Sequence, residues 1–133
     1  MEESKHFIKE ETIRFLNRKV TIFEEELNNL LEKNKETMDQ IRSISDLNMP
    51  NMISRLKKFA KGLAMNQLKN YKDSSEISRC FIRQYERLDD LEKGMKSHQI
   101  SCANFRAIRN TFEAIDVATR EILIQNSDVP PLF

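Results

Sequence analysis

The stretch TIRFLNRKVTIFEEELNNLLEKN, Thr12 to Asn34, decides the fold. Ile13, Leu16, Val20, Phe23, Leu27, Leu30 and Asn34 follow one another in alternating steps of three and four residues. Thr37, Ile41 and Ile44 carry the same alternation further. An apolar row with a mean period of 3.5 lies along one face of a helix and calls for a partner helix to cover it. Neither Gly nor Pro occurs between Met1 and Asn48, so nothing in that span favours a turn. The spacing predicts one helix over 1–48, roughly 40 residues and on the order of 60 Å long. Asn34 is the polar exception on this row. It either sets register and partner number or, with Thr37, marks the fading of the row near a helix end. The flanking EEE (24–26) and EKNKE (32–36) keep the other faces in water.

Downstream, Pro50 lacks an amide hydrogen and biases Met49 away from helical angles, so the first helix should stop at 46–48. A second segment, 49–73, reads as a helix with Met52, Ile53, Leu56, Phe59, Leu63 and Leu68 on its apolar stripe. Its polar face is basic: Arg55, Lys57, Lys58, Lys61, Lys69 and Lys72 occur with no acid between Arg55 and Lys72. Such a face suits anionic lipid or an acidic partner, and equally a solvated position beside the acidic run of the first helix. Nucleic acid is disfavoured, because Phe59 belongs to the apolar stripe and not to a stacking platform.

Asp73 or Ser74 can cap a third segment, 74–125. Ile77, Phe81, Gln84, Leu88, Leu91, Met95 and His98 form its row, which resumes at Cys102 with Phe105, Ile108, Phe112, Ile115, Thr119 and Ile122. Two successive steps of three at Cys102, Phe105 and Ile108 form a stammer, so a single long helix with a kink or break between Gly94 and Ala103 is expected. His98 on this row reads first as a half-buried packing histidine and second as a pH sensor. The tail, 126–133, ends VPPLF; its prolines stop the helix, and Leu132 and Phe133 form an apolar plug for a helix groove.

Composition narrows the function classes. The 133 residues are 32% charged with a net charge of +1 and contain only 2 Gly and 3 Pro. Strand-and-turn folds want more punctuation, and a near-neutral chain has no bulk attraction for polyanions. The N-terminal MEESKHFIKEE lacks the apolar core of a signal peptide, and no run is apolar enough to span a membrane, so a cytoplasmic chain is expected. Cys80, Cys102, His6 and His98 have no metal-ligand spacing and read as free, buried thiols and isolated imidazoles. No phosphate loop, zinc-protease motif or nucleophile elbow occurs, so neither an enzyme nor a cofactor is expected. Each buried Leu, Ile or Phe contributes about 1.5 to 3 kcal/mol. Long thin helices could not cover so many within one short chain, so other coiled-coil subunits are the expected cover. The fold class expected is all-α, with elongated long helices in a helical hairpin or coiled-coil subunit.

Two short elements carry a resemblance. QYERLDDLE, Gln84 to Glu92, resembles the tyrosine, arginine, apolar, aspartate, x, leucine, glutamate pattern of subunit 4 (cappuccino) of the biogenesis of lysosome-related organelles complex 1. VPPLF, Val129 to Phe133, is similar to a Val-Pro-x-Leu-Phe element at nearly the same distance in that family. The resemblance covers about the last fifty residues. It implies a non-catalytic subunit of an elongated helical complex in endosomal sorting, peripheral to endosomes. Tyr85, Arg87, Leu88, Asp89, Leu91 and Glu92 would then lie in an inter-subunit helix, and Val129, Pro130, Leu132 and Phe133 would be the tail element. A membrane-surface binder and a cytoskeletal or kinetochore adaptor are the alternative readings.

Overall fold

The computed structural model describes residues 2–41, 48–63 and 74–126. Ile44, Lys69, Lys72 and the tail residues Val129, Pro130, Leu132 and Phe133 lie outside the described residues. The chain is all-α among the described residues, in the order α1 (Glu2–Lys33), α2 (Lys35–Ile41), α3 (Met49–Gly62), α4 (Ser74–Ser97) and α5 (Phe105–Asn126).

The first long helix is interrupted where the expected one was continuous. Asn34 is a turn residue between α1 and α2, and its Nδ2 donates to the Leu30 carbonyl at 2.9 Å. An amide that bonds locally to backbone competes with the helical ladder, and here it stands at the break. Asn34 is buried, so its place on the apolar row is kept. Ile41 is the last residue of α2.

α3 begins at Met49, where the second segment was expected to start. Asn48 caps it, its Oδ1 accepting from the Asn51 amide at 3.2 Å, and Pro50 occupies the first turn. A proline is tolerated there because that amide has no helical acceptor.

The kink expected between Gly94 and Ala103 is a full reversal. The amide of Ile100 donates to the Met95 carbonyl at 2.8 Å, and that of Gln99 donates to Lys96 at 3.1 Å. Gln99 has φ 59°. These are the paired bonds of a Schellman stop, with Gln99 in the left-handed position and Ile100, 5% exposed, tucked back into the core. His98 accordingly stands exposed in the connection, not half-buried on the helical row. Cys80 and Cys102 are free, as expected, but half-buried.

Cross-helix contacts give the directions. Lys57 meets Asn28 and Lys61 meets Glu24, so α3 runs antiparallel to α1. Tyr85 meets Asp116 and Ser78 meets Arg120, so α5 runs antiparallel to α4. Phe23 stacks on Phe112 while Leu30 and Ala107 share one cleft, so α5 also runs antiparallel to α1. The result is an up-down-up-down four-helix bundle of α1, α3, α4 and α5, with α3 and α5 on opposite corners.

Each helix turns one apolar row to the shared axis. Leu16, Val20, Phe23, Leu27 and Leu30 of α1 meet Leu88 and Leu91 of α4, and Phe105, Phe112, Ile115 and Ile122 of α5, in one buried cluster, with Ile13 half-buried against it. Other subunits were expected to cover these rows. The chain covers them itself, because three reversals of direction bring four rows face to face where a rod would have left each uncovered. α5 lies closest along α1, where small Ala107, Thr111, Ala114 and Ala118 recur at steps of four, three and four. The hydroxyls of Thr111 and Thr119 donate back to Ala107 and Ile115 carbonyls at 2.9 and 2.8 Å, so their burial leaves no unpaired donor.

Phe112 touches an aromatic ring from every other helix of the bundle. Its centroid lies 5.2 Å from Phe23, 6.2 Å from Phe59, 5.4 Å from Phe81 and 4.9 Å from Tyr85. Phe112→Ala should cost about 3 to 5 kcal/mol and lower Tm by roughly 10 °C or more, read by circular dichroism. At the reversal, Gln99→Gly should add about 0.5 to 1 kcal/mol by relieving the left-handed strain. Gln99→Val should lower the urea midpoint instead.

Candidate interaction surfaces

The residues of the QYERLDDLE stretch find their contacts inside the chain. Leu88 and Leu91 are in the core, and the Tyr85 hydroxyl donates to Asp116 Oδ2 at 3.2 Å. Arg109 of α5 donates to Asp89 and lies 3.4 Å from Glu92, bridging the two acids. That contact holds the Asp89 carboxyl below its usual range and raises the Arg109 guanidinium further. Arg87 Nη1 donates to Oε1 of the buried Gln84 at 2.6 Å. Of the side chains that the resemblance placed in an inter-subunit helix, Tyr85, Asp89 and Glu92 contact α5, Leu88 and Leu91 lie in the common core, and Arg87 stands towards α3.

The basic segment divides. Lys57 donates to Asn28 Oδ1 at 2.8 Å and Lys61 lies 3.5 Å from Glu24, so both turn towards α1. Lys61 thus takes the place beside the acidic run that was weighed for the whole face, while Lys57 meets an amide. Arg55 and Lys58 stay exposed and make no ion pair among the described residues. Beside them, α4 contributes Arg83 and Arg87, which sequence reading did not assign to this face. The Arg87 guanidinium is pushed below its ordinary range by burial first, then by the charges of Arg55 and Arg83. Basic residues on α3 and every fourth residue of α4 were both visible in sequence, but only the antiparallel register brings them together.

No family model, curated relative or solved structure matches this chain. Its surfaces are therefore read from their own geometry. Among the described residues no helix is long and apolar enough to cross a membrane, and no three metal-capable side chains converge.

The exposed large apolar residues gather on one side. Val117 and Ile124, seven residues apart on the outer face of α5, are 54% and 72% exposed. The α4–α5 register puts Ile82, 57% exposed, level with Val117. Phe15 and Ile22 of α1 are also exposed, with Lys19 Nζ 5.4 Å from the Phe15 ring. Their row continues to Asn29, which lines a cleft of about 440 Å³ with Asn104 and Ala107 at the α5 end, so it follows the α5 side of α1. All five lie on α1, α4 and α5, and none on α3.

Glu26, Lys33, Asn34 and Ser101 add to the polar wall of that cleft, and Glu26 Oε1 is buried without a hydrogen-bond partner among the described residues. The cleft closes the loop end of the bundle, below the apolar surface.

Among the described residues, Tyr85 carries the one strongly displaced ionisation. Burial first, then the charge and hydrogen bond of Asp116, raise its phenol well above the ordinary 10.0. A raised folded-state value contributes stability in full below the unfolded value and loses it as pH rises beyond that point. Urea midpoints taken from neutral pH to above pH 10 should fall more steeply for the native chain than for Tyr85→Phe. Equal slopes would mean that the phenol ionises freely in the fold.

Proposed function

We propose that this chain is a non-catalytic subunit of a hetero-oligomeric helical complex, a self-covered bundle that docks partner helices on its α1–α4–α5 side. The observation that carries this reading is the exposed set Phe15, Ile22, Ile82, Val117 and Ile124, gathered on one side of a bundle whose core is already complete. Apolar surface of this kind, rimmed by Lys19, Arg120 and Glu113, is what an amphipathic partner helix covers. The fuller reading is a cytoplasmic subunit of a complex in endosomal sorting and lysosome-related organelle biogenesis. Its support is the likeness of Gln84–Glu92 and Val129–Phe133 to the family pattern, and the tail element would then be a second contact for the same partners.

Affinity purification of the tagged chain from its native cells, with quantitative mass spectrometry, tests both levels. The native chain should recover other helical subunits of that complex. Val117→Ser with Ile124→Ser should lose most of them while changing stability by only about 0.5 kcal/mol per site, as exposed positions do. Undiminished recovery by the variant would remove the docking side from the reading. Recovery of kinetochore or cytoskeletal proteins in their place would overturn the sorting role.

A further inference from the structure

The opposite side of the bundle carries a concentration of unpaired positive charge. Arg79, Arg83 and Arg87 recur at every fourth residue of α4, each about 6 Å further along the axis. Across the groove, α3 presents Arg55, and Lys58 stands exposed on the outer face of the same helix. The edge-to-face contact of Phe59 on Phe81, 5.1 Å between centroids, fixes the two helices against each other beneath these charges. Burial first, and then the charges of Arg55 and Arg83, hold the Arg87 guanidinium below its ordinary range, in keeping with Arg55 lying across from Arg87 on this pair of helices. Glu76, Glu86 and Asp90 also stand on the outer side of α4, and among the described residues Glu86 and Asp90 form no ion pair with the row.

Like charges held near one another on a rigid scaffold repel, and a bound anion relieves that repulsion further than water and salt do. Guanidinium groups in particular match carboxylates through two parallel N–H donors. Four-residue spacing is itself a helical period, so a second helix laid along the groove would meet each arginine with one turn of its own. We propose that the groove between α3 and α4, flanked by Arg55 on one side and by Arg83 and Arg87 on the other, receives an acidic helix of a partner protein bearing carboxylates at i and i+4. Arg87, tied to buried Gln84, is the fixed point of the site, and Arg55 and Arg83 are its exposed arms.

A lipid surface fits these observations less well. A membrane-binding helix combines its cations with apolar side chains that enter the acyl boundary. Here the exposed large apolar residues are on the α5 side, away from the basic groove. The groove is independent of the α5-side docking surface, so each can fail without the other.

The test uses the full chain and a synthetic helical peptide with glutamate at every fourth position, followed by fluorescence anisotropy. The peptide should bind, and more weakly as salt rises. Arg55→Gln with Arg83→Gln should weaken binding by about tenfold or more. Lys57→Gln with Lys61→Gln, which removes the same charge from the side turned to α1, should change it by less than about twofold. Circular dichroism on both variants establishes that the bundle is intact. Failure of the native chain to bind, equal binding of the glutamine version of the peptide, or equal loss in both double variants would overturn the proposal. So would flotation with phosphatidylserine vesicles, absent with neutral ones, that depends on Arg55 and Arg83.

Discussion

The packing of Phe112 against Phe23, Phe59, Phe81 and Tyr85 is the constraint from which the rest of the structure follows. One ring on α5 can touch rings from α1, α3 and α4 at once only when all four helices surround a common axis at one height. That height fixes the register of each antiparallel pair. Once Tyr85 lies against Phe112, its hydroxyl reaches Asp116, and the turns to either side set Arg109 against Asp89 and Arg120 against Ser78. The polar contacts between α4 and α5 thus report a register that aromatic packing has already chosen. Exposed ion pairs contribute little alone, whereas buried rings contribute several kcal/mol each.

Covering its own core frees the outer surface of the bundle for other work, and that surface is not uniform. Apolar side chains stand out on the α5 side, and unpaired guanidinium groups stand out on the α3–α4 side. The separation has a simple origin in the wheel of each helix. Positions of α4 that flank α5 include Ile82, Tyr85 and Asp89, while those that flank α3 include Arg83 and Arg87. A single helix therefore serves an apolar face and a basic face without mixing them.

Much of the fold was legible in the residues. The rows from Leu16 to Leu30 and from Ile77 to Ile122 were readable at their helical spacing, and almost every member is buried. The stammer at Cys102, Phe105 and Ile108 marked where the third segment departs from one helix. What the spacing could not give was the size of that departure, because a kink and a reversal leave the same local irregularity. The reversal rests on Gln99 accepting a left-handed angle and on Ile100 finding a place in the core, and neither residue type announces it. The candidate groove was half legible. Arg55 and Lys58 belonged to the basic run, but Lys57 and Lys61 read identically in sequence and point to Asn28 and Glu24.

Sequence by itself determined that this protein is helical, which face of each helix is apolar, and roughly where the helices end, since these depend on spacing and on residues adjacent in the chain. Only the tertiary structure decided what covers the apolar rows. A period of 3.5 records that a neighbouring helix exists and is silent on whether it comes from the same chain or another. The long-range contacts of Phe112 answer that question for the core. They also decide which charges are neutralised by α1 and which are left facing outward.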